Sequence, residues 1–365
     1  MSGVHADRIR RTADEAAAAG LAAVLVAPSP DLAYLAGYGP PPLERLTLLA
    51  IRPGREAVFL VPMLERPLAL ASPLGEDADV VGWTDGDDPY RIAAELVPDA
   101  ATVGVGDRMW ASHLIELQRA ARAASFVSAS PVISRLRAIK DAGEIAALTR
   151  AGRAADETFR QICTGRFEGR SERDVAGDLA DLLVRNGHDR ADFTIVASGP
   201  HGSSPHHEPG SRTIRARDAV VMDFGGEFGG YFSDTTRTVV VGEEPAGFAE
   251  VYDTVRAAQE AALAAIAPGV PAQEVDGAAR RVIEEAGYGA RFIHRTGHGI
   301  GLEVHEPPWI VGGNELELRP GMTFSVEPGI YLEGRFGVRI EDIVAVTADG
   351  VERLNRSTRD LQVVG

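Results

Sequence analysis

Residues Val220–Val241 read VVMDFGGEFGGYFSDTTRTVVV. Two apolar, β-rich runs flank a glycine cluster. Each carries one aspartate: Asp223 lies inside Val220–Phe224, and Asp234 stands at the head of Thr235–Val241. Val, Met and Phe in a run describe a buried strand, where a carboxylate is costly. Gly225, Gly226, Gly229 and Gly230 are expected to supply the φ freedom of a hairpin. Pairing the strands would bring both carboxylates to one spot, and such a pair repels unless a proton or cation lies between. A metal is the expected solution, with the chain beyond residue 140 built to complete its site.

Further acids interrupt apolar strands downstream. TFSVEPGIYL (323–332) ends a strand on Glu327, and VRIEDIVAVT (338–347) sets Arg339 and Glu341 two apart on one strand face. That pair could equally be a structural ion pair. RTGHGIGLEVHEPP (295–308) surrounds His298 with Gly297, Gly299 and Gly301, and places His305 before Glu306. Glycines there let the backbone approach closely, which suits an imidazole in a crowded site. His206 and His207 occupy the loop SPHHEPGSR. Loops of this kind carry function more often than packing, although a histidine pair by itself is usually solvated. The absence of H-E-x-x-H excludes a zincin-type protease. Together Asp223, Asp234, Glu327, Glu341 and His298 suffice for two divalent ions. Oxygen-rich ligation favours Mn²⁺ or Mg²⁺, and one nitrogen admits Co²⁺ or Zn²⁺.

Composition narrows the class. The chain has 365 residues, a length for two or three domains, with an ordinary globular balance of 45% hydrophobic and 25% charged residues. A formal net charge of −16 and a pI near 5.0 argue against nucleic acid and anionic membranes as partners. Cys163 is the one cysteine, so no intrachain disulfide or cysteine-rich zinc module forms; it reads as a small buried apolar residue. No apolar run approaches the ~18 residues of a membrane span. The first twenty residues read as an amphipathic helix stopped by Gly20 rather than a signal peptide, so a cytoplasmic protein is expected.

From Leu21 to Ala129 strands and helices alternate, which predicts an α/β domain over residues 1–130. Strands are expected at 21–27, 79–85, 101–107 and 125–129, with two more in 46–62 around Pro53-Gly54; helices are expected near 63–71, 89–97 and 112–123. The second domain, 131–365, opens on a largely helical stretch from Pro131 to Gly165. It also holds a weak repeat. Shifted by 100 positions, Val175 falls on Val275, Leu182 on Val282, Leu183 on Ile283 and Gly187 on Gly287. Two helix–helix–sheet halves of this kind can enclose a site at their junction.

These motifs resemble the M24 metallopeptidases, the pita-bread fold, which includes methionine aminopeptidase, aminopeptidase P, prolidase and the non-metallo creatinase. The likeness rests on the Asp pair eleven apart, GHGIG followed by HEPP, SVEPG-x-Y and R-I-E-D. It implies a creatinase/prolidase-like N-terminal α/β domain followed by an α+β pita-bread catalytic domain. By the same resemblance, Asp223, Asp234, His298, Glu327 and Glu341 are the ligands of two divalent metal ions, with Mn²⁺ favoured. Asp234 and Glu341 would bridge, and Glu327 would also carry a proton. The PHHEP loop, His305, Tyr331 and Arg339 place the chain nearer the proline-specific branch. His206 and His305 would flank the substrate, with His207 mattering less. Arg339 would orient Glu341, and Tyr331 would donate a hydrogen bond nearby. The implied partner is a proline-containing di- or oligopeptide, and the implied assembly a homodimer. Xaa-Pro dipeptidase and Xaa-Pro aminopeptidase both remain open. A catalytically silent binding protein would have lost ligands, and here all five are present.

Overall fold

Alternation of short apolar runs with amphipathic stretches gives the first third of the chain one mixed sheet. Its strands are β1 (Ala23–Val26), β2 (Leu48–Ile51), β3 (Ala57–Pro62), β4 (Ala78–Trp83), β5 (Thr102–Val105) and β6 (Ser125–Ser128), in the order β4-β3-β2-β1-β5-β6. β2 runs antiparallel to β1 and β3, and the other neighbours are parallel. Helix α1 (Val4–Ala18) leads into β1, and α2 (Pro30–Ala36), α3 (Arg66–Ala71), α4 (Pro89–Ala94) and α5 (Ala111–Ala120) connect later strands. α2 is an element that the periodicity of the sequence does not announce, although its ends are signposted. Ser29 Oγ accepts from the Leu32 amide at 3.2 Å, Pro30 opens the helix, and Gly37 closes it at φ 63°.

This computed structural model describes residues 3–365 and divides into one unit ending at Arg137 and another spanning Ala138–Gly365. The expected long helix after Pro131 is broken in two, α6 (Ser130–Ala138) and α7 (Ala142–Ile162). The break has a tertiary cause. Ile139 pairs with Met322, the Lys140 amide donates to the Gly321 carbonyl at 2.8 Å, and Lys140 Nζ meets the buried Glu306 carboxylate at 2.8 Å. Asp141 then restarts the helix in a capping box with Glu144.

The repeat seen in the sequence is an architectural one. α7 and α8 (Glu172–Arg185) serve a sheet of β7 (Arg190–Ser198), β8 (Ala219–Phe228), β9 (Tyr231–Val241) and β17 (Gln362–Val364), ordered β17-β9-β8-β7. α9 (Phe248–Ala264) and α10 (Ala272–Glu285) serve a sheet of β10 (Gly297–Gly299), β11 (Glu306–Ile310), β12 (Thr323–Val326), β15 (Asp342–Val346) and β16 (Val351–Arg353), ordered β11-β10-β12-β15-β16. α8 and α10 have bounds 100 residues apart, and the residues before them, Ser171 and Pro271, each make an isolated bridge, to Thr213 and Glu317. Phe159, Val175, Leu179 and Leu183 pack with Val220, Met222 and Phe224 in one core. Val255, Val275, Ala279 and Ile283 pack with Phe324, Val326 and Val344 in the other.

Two expectations about local geometry are corrected. Only Gly229 and Gly230, at φ 58° and 85°, make the hairpin turn. Gly225 and Gly226 lie within β8, where a Cβ would come within 2.1 Å of the Ser233 and Arg190 carbonyl oxygens, so they serve close strand approach. The expected strand 338–347 is also interrupted. Its first part, β14 (Phe336–Arg339), pairs with β13 (Gly329–Leu332), its last part, β15, pairs with β12, and Ile340–Glu341 cross between the two. Among the described residues no helix is long and apolar enough to cross a membrane. Cys163 is half-buried, and burial pushes its thiol up to about 12, as fits a packing residue.

The glycine assignments make a prediction. Gly225→Ala must push the Ser233 carbonyl or the Phe193 ring aside and should cost about 3 kcal/mol. Gly230→Ala meets nothing and should cost about 1 kcal/mol, from φ alone. Denaturant unfolding of both variants checks the order; equal losses would contradict it.

Candidate metal centre

Strand register brings the first two acids together. Asp223 lies opposite Thr236, and Asp234 opposite Gly225, so both carboxylates leave the same face as a diagonal pair. Glu341 joins them because the crossing between β14 and β15 is bolted to β9. Its amide donates to the Thr236 carbonyl at 3.0 Å, and Thr236 Oγ1 donates to Glu341 Oε2 at 2.7 Å. The buried Arg237 ties down the same crossing, pairing with Asp342 at 2.7 Å and donating to the Glu341 carbonyl. From the second sheet, β10 presents His298 between two glycines that have no room for side chains. A Cβ on Gly297 would fall 1.8 Å from the Ser325 carbonyl oxygen, and one on Gly299 would fall 2.4 Å from that of Glu306. Glu327 follows β12 and is held by Ser325 Oγ at 3.1 Å.

The result is a cleft of about 760 Å³ lined by all five of these residues. Ligand atoms of Asp223, Asp234 and Glu341 lie within 4.8 Å of one another, as do those of His298, Glu327 and Glu341. Two three-residue clusters sharing Glu341 therefore sit side by side.

Electrostatics shows what this cluster lacks. Asp223 Oδ1 and Glu341 Oε1 are buried with no hydrogen-bond partner among the described residues. Burial, and then the neighbouring carboxylates Glu341, Asp223 and Glu327, hold Asp234 well above the carboxylate range. Burial, followed by Glu327 and Asp223, does the same to Glu341. Burial pushes Glu327 up to about 7, with Asp223 adding to the shift and Arg339 opposing it. His298 cannot serve as a counter-charge, because burial and the adjacent His305 drive its pKa down to about 3. Its Nδ1 lies 3.1 Å from the Gly299 carbonyl, which places the proton there and leaves Nε2 with a lone pair. That lone pair faces Glu327 at 3.3 Å and Asp234 at 3.6 Å. Lone pairs aimed at carboxylates are repulsive unless a proton or a cation lies between them, and this donor set of carboxylates and one imidazole fits divalent metal ions.

Of the other expected residues, Arg339, His206 and His305 line the same cleft, and Tyr331 and His207 do not. Arg339, expected to orient Glu341, bonds Asp223 Oδ2 at 2.6 Å and reaches Glu341 only through Thr236 Oγ1, 3.1 Å from its Nε. The break at Ile340–Glu341 explains why the two do not share a strand face. Tyr331 accepts from Arg339 Nη1 at 2.8 Å and lies 2.8 Å from His294 Nε2. His294 Nδ1 is 2.7 Å from the Arg295 carbonyl, so the phenol donates to His294, a residue that the sequence reading passed over. Burial, with Arg339 nearby, brings His294 down to about 4. His206 and His305 are exposed to the cleft. His207 turns away to Glu172, at 2.9 Å. Arg295, Asp192, Phe193, Ile195 and Val304 also line the cleft. The signal for His294 and Arg295 lay just before His298, in FIHRTGHG.

Residues 146–348 match the family described as Metallopeptidase family M24, and residues 8–139 the Creatinase/Prolidase N-terminal domain. The chain belongs to the M24 metallopeptidase family. It is a metallopeptidase, and the peptidases of this family work with divalent metal ions. Similar M24 proteins include a probable dipeptidase PepE of Mycobacterium tuberculosis, 45% identical over 364 residues, covering 99% of this chain and 97% of that one. The Xaa-Pro dipeptidase of Lactobacillus helveticus is 38% identical over 341 residues, covering 91% and 92%. The crystal structure of a prolidase from Thermococcus sibiricus superimposes with a TM-score of 0.92 at 40% identity, covering all of both chains.

The raised acids predict how metal-free M24 protein responds to pH. Glu327 goes from an ordinary 4.5 to about 7 on folding. Its proton therefore stabilises the fold fully below about 4.5, and that contribution is lost as pH rises through about 7. Bound cations remove the repulsion behind the loss. The melting-temperature gap between Mn²⁺-loaded and chelator-stripped protein should widen from about pH 5 to about pH 7.5. A gap that narrows over this range would contradict the assignment.

Proposed function

We propose that this chain hydrolyses the peptide bond preceding proline in Xaa-Pro dipeptides, using two divalent ions, Mn²⁺ first, held by Asp223, Asp234, His298, Glu327 and Glu341. One observation carries the reading. A single cleft joins an anionic cluster in need of cations to a rim of basic and imidazole groups, Arg295, Arg339, His206, His294 and His305. The similarity to Xaa-Pro dipeptidase and prolidase supports it. Ions held there supply an activated water and a Lewis acid for the scissile carbonyl.

The chain's own side chains do the rest. Arg339 fixes Asp223 and, through Tyr331, keeps His294 oriented and neutral. Glu327, besides holding metal, carries a proton towards the departing proline nitrogen. His206 and His305 face the reacting carbonyl and stabilise its developing charge. The Arg295 guanidinium lies 4.4 Å from the Trp309 ring centroid and pairs with no carboxylate among the described residues. It offers a fork to the free carboxylate of a dipeptide, a group that a longer peptide does not present after proline. Phe193, Ile195 and Val304 supply apolar surface for the proline ring.

Asp223→Ala and Glu341→Ala should each abolish hydrolysis and lower bound metal, read by elemental analysis; unchanged metal in both would refute their role as ligands. His206→Ala and His305→Ala should instead keep the metal and lose kcat by about 10²-fold.

A proline ring meets the apolar surface of Phe193, Ile195 and Val304, and alanine would lose most of that contact, at about 1–2 kcal/mol. kcat/KM for Ala-Pro should therefore exceed that for Ala-Ala by about tenfold or more. Arg295→Ala should cost Ala-Pro about tenfold while barely changing Ala-Pro-Ala. Equal rates for Ala-Pro and Ala-Ala would sink proline specificity, and a preference for Ala-Pro-Ala would make the enzyme an aminopeptidase.

A further inference from the structure

A second cluster of ionisable side chains lies outside the metal centre. Glu172 is the first residue of α8 and is fully buried. Its Oε1 accepts from the Ser198 amide at 2.8 Å, from Ser198 Oγ at 2.7 Å and from His201 Nδ1 at 3.0 Å. Its Oε2 accepts from His207 Nε2 at 2.9 Å and from the Gly210 amide at 3.3 Å. Burial alone would raise its pKa, but the Ser198 and imidazole hydrogen bonds outweigh burial and pull it down to about 2. The start of α8 adds the positive end of a helix dipole. Three residues here could in principle grip a cation. However, protein donors already occupy the carboxylate oxygens, so the cluster is complete as a hydrogen-bonded hub.

What the hub holds is the loop carrying His206. His201 and His207 sit on either side of His206 in sequence, and both hang from the same carboxylate. Their rings lie against each other, 4.2 Å between centroids. The first part of the loop rests on β14, where Gly202 and Gly337 leave no space for a Cβ. On the cleft side, Arg339 reaches the Pro205 carbonyl only at 3.4 Å. The His206 ring itself makes no hydrogen bond to protein among the described residues, so its position is set by its backbone.

We infer that Glu172, with His201 and His207, is a positioning device for His206: a buried carboxylate that suspends the substrate-facing imidazole over the metal centre. Ser198 ends β7, the strand that pairs with β8 at Asp223, so the hub also references the loop to the strand bearing a metal ligand. His207, expected from sequence to matter little, thereby acquires a role through His206. This inference rests on the reading of the cleft as an Xaa-Pro peptidase site.

The test combines two readouts on the metal-loaded, full-length protein. In Glu172→Gln, and separately in His207→Asn should the first variant not fold, the amides of residues 199–210 should exchange with deuterium at least about tenfold faster, while those of β8 and β9 stay unchanged. kcat on Ala-Pro should fall about 10- to 100-fold with metal content retained, because small misplacements of a catalytic group cost this much. In a His206→Ala background the same substitution should change kcat less than about twofold, since the group it positions is gone. Unaltered exchange in the loop, or losses that multiply with His206→Ala, would overturn the positioning role. Absence of any Ala-Pro hydrolysis by the wild type would overturn the functional reading instead, and the exchange result would still decide whether Glu172 holds the loop.

Discussion

Repulsion among carboxylates is the constraint around which the catalytic unit is arranged. Asp223, Asp234, Glu327 and Glu341 are held close together, largely buried along one cleft, and the histidine among them is neutral. Left to itself such a cluster would spread or take up protons. The scaffold prevents spreading by rigid means: a hairpin register that fixes two aspartates diagonally, and a strand crossing bolted down by Thr236 and by the buried Arg237–Asp342 pair. With the geometry held, the remaining ways to relieve repulsion are protons or cations, which is why a stiff scaffold of this kind favours cation binding.

Imidazoles are used in two opposite ways within this unit, and backbone carbonyls decide which. Gly299 takes the Nδ1 proton of His298, and the Arg295 carbonyl takes that of His294, so each presents a lone pair at Nε2. One lone pair faces the carboxylates of the candidate metal centre, and the other receives the Tyr331 hydroxyl. At Glu172 the roles reverse, and His201 and His207 are donors to a carboxylate. The same residue type thus serves as a base and as a tether, according to which partner is within reach.

The internal repeat explains how such a site is assembled from few parts. One sheet contributes the aspartate pair, the other His298 and the strand end leading to Glu327, and Glu341 lies on the crossing that enters the second sheet. Each sheet is backed by its own helix pair and core, so each set of candidate ligands rests on a separately packed support.

The five candidate ligands were legible in the chain because charge inside apolar strands, and glycine around a histidine, are local anomalies that burial makes costly. The α/β and α+β division was legible for a related reason, since strand and helix periods are written in consecutive residues. What only the tertiary structure decided involves residues far apart in sequence. Arg339 pairs with Asp223 across 116 positions rather than with its near neighbour Glu341, because the chain changes sheets at Ile340–Glu341. Lys140 and Glu306 break a helix that local propensity would have continued. Glu172, His201, His294 and Arg295 gained their places from packing: a polar residue on a helix end or in a loop looks ordinary in sequence, and its partners are chosen by the folded surface that surrounds it.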